Sequence, residues 1–431
     1  MKSSRCQVRS SLLGSPSDPF TRALLAGEIR DCRLALSVSA WLTGAVRTGL
    51  GLAAEAAGNG CDGQCAPFAE AWHALLLIRV RELAGAARLL VAADDQASDD
   101  VDAAWAVARA EFALASGETA EAVVRATVGM EVAERSGAYA LLPNLHAVLA
   151  VNAVRQSDMV AALQYARLLG DDALIGRTAY VPGQSAWASA LVVEAATGPA
   201  SAAHLAERLI VDDRLGPELL AAQPAAAAWL VRVARGAGNE ELAARCAERA
   251  GTIARESWGF RSLHAAALHA EGLAEKSPEK LRAAAALHLD RWAGASAAED
   301  QAALISRQRG GRDAAVAQLR QAATRYGEAG APRDLARVTS KLRDLGVRSG
   351  RALRPVRRNG HRVGFLTDTE FSVADLVSQG LTNDQVGQSL YISGHTVAFH
   401  LKKIFRKLEV SSRVELAGAW GNLTADQRDA V

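Results

Sequence analysis

Short breaks recur along this chain about every forty residues, and between them little interrupts a helical reading. They fall at Ser116-Gly117, Ser157-Asp158, Gly198-Pro199, Gly238-Asn239, Ser277-Pro278 and Gly310-Gly311; the last interval is shorter, at 33 residues. That period lies in the range of α-hairpin repeats, which stack because one hairpin cannot bury its apolar face alone. Ser157 and Asn239 read as helix N-caps, and Ser277 precedes Pro278 at a first helical position, where the missing N–H costs nothing. Glu240, Glu241 and Glu279 place negative charge at the positive end of a helix dipole. Ala243, Ala247 and Ala250 share one helix face and let a neighbouring helix approach closely.

Composition agrees. Aromatics make up only 5% of the 431 residues, and Ala runs such as 225–228 and 283–286 favour helix over a pleated strand. The expected fold class is all-α: a TPR-like α-solenoid of helical hairpins over residues 28–346, after a Ser/Pro/Gly-rich tail of residues 1–27. No repeat keeps a full consensus, so a non-repetitive helical bundle is the alternative. No uninterrupted apolar run of about 18 residues occurs, so neither a secretory leader nor a membrane partner is expected. Five Cys, an odd number without scaffold spacing, fit a reducing cytoplasm. Cys61 and Cys65 have no second Cys pair and only His73 nearby, so no metal site is read there.

The formal net charge of +2 conceals an asymmetry. Residues 348–431 hold 12 basic and 8 acidic side chains, against 37 and 39 in the rest. Six Arg and no acid fall within 348–362, which marks residues 347–364 as a basic linker.

Beyond the linker, residues 365–422 divide into four short helices, followed by a tail of residues 423–431. Thr367 caps the first, from Asp368 to about Gln379, with Glu370 at capping-box distance and an apolar face of Phe371, Ala374, Leu376 and Val377. Thr382 caps the second, through Asp384, Val386 and Leu390. After a turn at Tyr391-Ile392-Ser393, Ser393 caps a third helix from Gly394 to about Leu408, and Ser411 or Ser412 starts the last, through Val414, Leu416 and Trp420. In the third helix Val397, Leu401, Ile404 and Leu408 form one apolar stripe, while Phe399, Lys402, Lys403 and Arg406 lie on another face. A short helix, a tight turn and a longer basic helix make a helix-turn-helix whose third helix fits the major groove of double-stranded DNA.

These residues resemble the LuxR-type DNA-binding domain in register: Leu366-Thr367-x-x-Glu370, Gly380-Leu381-Thr382-Asn383, Ile392-Ser393-x-x-Thr396-Val397-x-x-His400, and Lys407-Leu408-x-Val410-x-x-Arg413-x-x-Leu416. Upstream, Tyr326 to Arg333 and Leu342 to Gly346 look like the end of the helical-repeat region of the large ATP-binding LuxR regulators, which are common in actinomycetes. The resemblance implies a transcriptional regulator, an activator that binds a two-fold-related promoter site as a homodimer. It implies DNA contacts from Thr382, Asn383, Ser393, His395, Thr396, Phe399, Lys402, Lys403, Arg406, Lys407 and Arg413, and a dimer seam at Val414, Ala417 and Trp420. RNA polymerase is a further implied partner. Two departures stand out: Ala398 where the family often has Lys, and Phe399, which meets a thymine methyl or is partly buried. His400, between Val397 and Ile404, reads as structural.

No G-x-x-x-x-G-K-[ST] occurs, so no nucleotide cofactor is expected. A receiver domain or an acyl-homoserine-lactone pocket would need a β-sheet that this composition does not suggest. The helical region then senses a small-molecule or protein effector in its groove. Trp72, Trp105, Trp187, Trp229 and Trp292 either line that groove or pack the core. No catalytic arrangement is present, so the chain is not read as an enzyme; an interaction adaptor with incidental DNA affinity is the rival reading.

Overall fold

In the computed structural model, residues 32–60, 66–93, 99–347 and, within 368–420, all but 391–393, 409, 411 and 419 are described. The expected tails, nearly all of the basic linker, and Cys61 and Cys65 lie outside them. The chain divides between Gly350 and Arg351 into two compact units. Every regular element among the described residues is helical.

The first unit is an array of antiparallel helix pairs. These are α1 (Arg33–Leu42) with α2 (Val46–Glu55), α3 (Ala66–Arg79) with α4 (Leu83–Ala93), and α5 (Asp99–Ser116) with α6 (Thr119–Ser136). Next come α7 (Leu142–Gln156) with α8 (Met159–Leu174), and α9 (Pro182–Thr197) with α10 (Pro199–Val211). The short α11 (Gly216–Ala222) precedes α12 (Ala226–Gly236) with α13 (Glu240–Glu256), α14 (Arg261–Ala274) with α15 (Pro278–Leu287), and α16 (Arg291–Ile305) with α17 (Arg312–Glu328). The last helix of the unit is α18 (Pro332–Asp344). The breaks seen in the sequence are the turns inside six of these hairpins.

Side-chain caps explain three of those six turns. Asn239 Oδ1 accepts from the Leu242 N–H, and Ser277 Oγ accepts from Lys280, with Pro278 at the first helical position. At the second break the cap is Asp158, whose carboxylate accepts from Ala161. Ser157 instead closes the preceding helix in the left-handed region, at φ 65°. One residue thus separates the expected cap from the real one, because a carboxylate takes the role and the serine supplies the bend. Ala243, Ala247 and Ala250 are all buried on α13, as their spacing requires.

The array curls until distant hairpins touch. Gln156 at the end of α7 donates to the Gly330 carbonyl at 2.6 Å, across 174 residues. Ser262 Oγ donates to Val80 O at 2.5 Å, and Arg47 donates to Trp258 O at 2.9 Å. At this seam Gly330 has φ +60°, and a Cβ there would come within 2.9 Å of Thr119.

Charged side chains pair between the helices of the array. Arg79, fully buried, holds Glu111 with two hydrogen bonds of 2.9 and 3.1 Å. Arg81 reaches Asp290 at 3.4 Å. Glu299 accepts from Arg337, Lys341 and the Tyr326 hydroxyl at 2.6–2.9 Å. His288 Nε2 lies 3.3 Å from His269 Nδ1, His269 Nε2 is hydrogen-bonded to Asp300 at 2.9 Å, and Arg232 donates to the same carboxylate at 2.6 Å. Burial opposes ionisation of Asp300, but Arg232 and His269 hold its carboxyl well below the usual range. Burial also keeps His288 neutral, with its pKa pushed down to about 3.

Trp72, Trp105, Trp187 and Trp229 are core residues, the last two packed edge to face. Trp292 is different: it is half-buried and donates from Nε1 to Asp334 at 2.7 Å. Among the described residues no helix is long and apolar enough to cross a membrane.

Candidate nucleic-acid interface

The second unit is built on α19 (Asp368–Ser378), α20 (Asn383–Leu390), α21 (Gly394–Leu408) and a last helix, α22, at residues 413–418. Val397, Leu401, Ile404 and Leu408 form one buried stripe on α21. They close a small core with Val373, Ala374, Val377, Val386, Leu416 and Trp420. On α19 the fully buried face is Val373, Ala374 and Val377, while Phe371 and Leu376 pack at its rim. A stripe spaced four, three and four leaves the opposite side of the helix to solvent.

Local chemistry fixes the two short turns. Gly380 ends the α19 turn at φ +90°. Thr382 and Gln385 cap α20 reciprocally: Thr382 N–H donates to Gln385 Oε1 at 2.8 Å and Gln385 N–H to Thr382 Oγ1 at 3.3 Å, a capping box. At the start of α21 a Cβ on Gly394 would collide with Asp384 Oδ1. Glycine therefore lets α20 and α21 approach at the turn. Ser412, of the two serines considered, caps α22 by accepting from Glu415 N–H at 3.1 Å.

Three ties hold the unit together from outside the apolar stripe. Lys407 pairs with Glu370, which is only 4% exposed. Arg413 donates to Asn383 Oδ1 at 3.1 Å and to the Leu381 carbonyl, locking α22 to the start of α20. Trp420 lies against Phe371, ring centroids 5.1 Å apart, and donates to Asp375 at 3.0 Å.

The profile of bacterial regulatory proteins of the luxR family (GerE) matches residues 365–419. These residues are a LuxR-family helix-turn-helix domain. Over 53 residues the chain is 45% identical to a provisionally named HTH-type transcriptional regulator of Mycobacterium bovis, covering 12% of this chain and 6% of that protein. It is 39% identical over 77 residues to the HTH-type transcriptional regulator AlkS of Alcanivorax borkumensis, covering 18% and 9%. It is 45% identical over 49 residues to the nitrate/nitrite response regulator protein NarP of Escherichia coli, covering 11% and 23%. The chain thus spans only a small part of the length of the curated relatives it matches.

Within the LuxR-type domain the expected contact residues separate by what they touch. Lys402 and Arg406 are exposed on α21, on the same face as exposed Ala398. Thr396 and Lys403 flank that face and are partly covered. Thr382 is exposed but serves as a cap, and Asn383 accepts from Arg413. Lys407 and Arg413 have their charges engaged inside the domain, a pairing that spacing along one helix does not reveal. Ser393 lies outside the described residues, as do the side chains of His395 and Phe399. On α22, Val414 is 81% exposed and Ala417 is exposed, but Trp420, at 4%, belongs to the core. Its ring packs on Phe371 and its Nε1 donates to Asp375 within the domain.

The sequence reading missed the Asp384–Gly394 approach and the roles of Glu370 and Asp375 as internal acceptors. The signal for Glu370 was its place one turn into a helix whose next turns are apolar.

Proposed function

We propose that this chain is a sequence-specific transcriptional regulator that binds double-stranded DNA. The supporting observation is the solvent-facing Lys402–Arg406 side of α21, set opposite the buried stripe in a LuxR-type domain. In this reading α21 enters the major groove, with Lys402 and Arg406 on phosphates and the N-terminal half of the helix at base edges. Exposed Val414 and Ala417 form the seam of a homodimer on a two-fold-related site. The helical array senses an effector or partner protein, and the regulator acts in the cytoplasm as an activator that engages RNA polymerase.

Lys402→Ala tests the groove assignment. In a gel shift titrated with salt it is expected to weaken operator binding and to lower the slope of log K against log salt by about one. Unchanged affinity and slope would remove α21 from the groove. A curve equal for promoter and scrambled DNA would favour the adaptor reading instead.

A further inference from the structure

One buried cation in the helical array has no counter-ion. Arg155, near the end of α7, is 8% exposed, and its Nε is buried without a hydrogen-bond partner. Among the described residues no carboxylate lies within ion-pair distance of it. Its guanidinium carbon sits 4.8 Å from the centroid of the Trp292 ring. An indole face attracts a guanidinium but gives the buried Nε–H no acceptor.

The nearest acids are already engaged by other donors. Asp290 Oδ1 accepts from the backbone N–H groups of Trp292 and Ala293, and its Oδ2 accepts from Arg81. Asp334 takes Arg337 on one oxygen and Trp292 Nε1 on the other. Burial lowers the Arg155 pKa, against the pull of Asp290 and Asp334, so those two acids do not make up for the water it has lost. One turn earlier on α7, Asn152 uses its amide nitrogen on the Thr119 carbonyl, while its buried Oδ1 has no partner. Residues three apart share a helix face, so α7 presents an unmatched cation and an unmatched acceptor together.

We propose that Arg155 and Asn152 form a binding site for a small carboxylate, with Trp292 holding the guanidinium in place. A carboxylate matches the planar fork of arginine with two parallel hydrogen bonds. Asp290 and Asp334 oppose a second negative charge, so a monoanion is favoured over a phosphate dianion. Asn152 Oδ1 would accept from a hydroxyl on the same ligand, so a hydroxy-acid fits better than a plain carboxylate. As the ligand of a regulator this rests on the reading of the array as a sensor, yet binding itself is read without DNA.

The test is thermal melting of the full chain at constant ionic strength with lactate, acetate or inorganic phosphate. The expected result is a saturable rise in Tm, with lactate acting at the lowest concentration and phosphate needing about tenfold more. Arg155→Met should lose the response to all three while melting at or above the unliganded wild-type temperature, because an uncompensated buried charge is gone. Arg155→Lys should keep a weaker response, and Asn152→Ala should remove the preference for lactate over acetate. A wild-type chain with no saturable shift, or the same shift in Arg155→Met, would overturn the site. If the shift occurs and operator binding in a gel shift is unaffected by lactate, the carboxylate site stands and the sensor reading falls. If Lys402→Ala leaves DNA binding intact while the shift persists, the groove assignment alone fails.

Discussion

The helical array and the LuxR-type domain place their charges in opposite ways. The array buries carboxylates and satisfies them with cations: Glu111 on the fully buried Arg79, Asp300 on Arg232, and Glu299 on Arg337 and Lys341, whose own side chains reach solvent. The domain has a small apolar core flanked by the Lys407–Glu370 pair, and it leaves Lys402 and Arg406 in water. Buried pairs are costly to break and fix where helices sit, whereas exposed cations add little to folding and remain available to a polyanion. The same residue types therefore specify architecture in one unit and a surface in the other.

The sharpest way to break this contrast is Glu111→Ala. It strands the fully buried Arg79 and is expected to cost about 3–5 kcal/mol, read as a fall in the denaturant midpoint of the array transition. Lys407→Ala should cost the domain less, about 1–3 kcal/mol, because Glu370 is left buried while its lost partner was partly solvated. At the seam, Gly330→Ala forces a Cβ toward Thr119 in a left-handed backbone, and a loss of about 1–2 kcal/mol in thermal melts is expected.

The array should also respond to pH. His288 has a folded pKa of about 3 against 6.5 unfolded, so the unfolded chain binds more protons between those values. Its contribution makes the array lose stability as pH falls from about 6.5 toward 3, and His288→Gln should flatten that part of the melting profile. Glu218 has the opposite sign: burial pushes it up to about 7, so its contribution falls as pH rises from 4.5 to 7. Glu218→Gln should remove that fall. The smallest effect on folding belongs to Arg406→Ala, expected within about 0.5 kcal/mol of wild type while the salt dependence of DNA binding drops by about one ion. An array that tolerates Glu111→Ala, or a domain unfolded by Arg406→Ala, would erase the distinction.

What could be read from the sequence follows the range of each interaction. The stripe Val397, Leu401, Ile404 and Leu408 is set by helical period alone, and the structure buries all four. The hairpin turns were legible because Asn239, Ser277 and the glycines act within a few residues of themselves. Ser157 was misassigned by one position, since a serine and an aspartate side by side both suit a cap and only the backbone angle separates them. The resemblance implies DNA contacts for Arg413 and Lys407 and a dimer seam for Trp420, but not their partners inside the domain, Asn383, Glu370 and Asp375, which lie 30–45 residues away. The ion network inside the array joins residues up to 209 apart, such as Arg81 and Asp290, and no local pattern points to it.

The seam has a consequence for how this protein can vary. An open stack of repeats gains or loses a hairpin at either end with little penalty, since each unit answers only to its neighbours. Here the Gln156–Gly330, Ser262–Val80 and Arg47–Trp258 bonds tie early hairpins to late ones. Inserting or deleting one hairpin between them would move every one of these partners out of reach at once. The repeat number is locked by geometry, and change in this unit is confined to substitution.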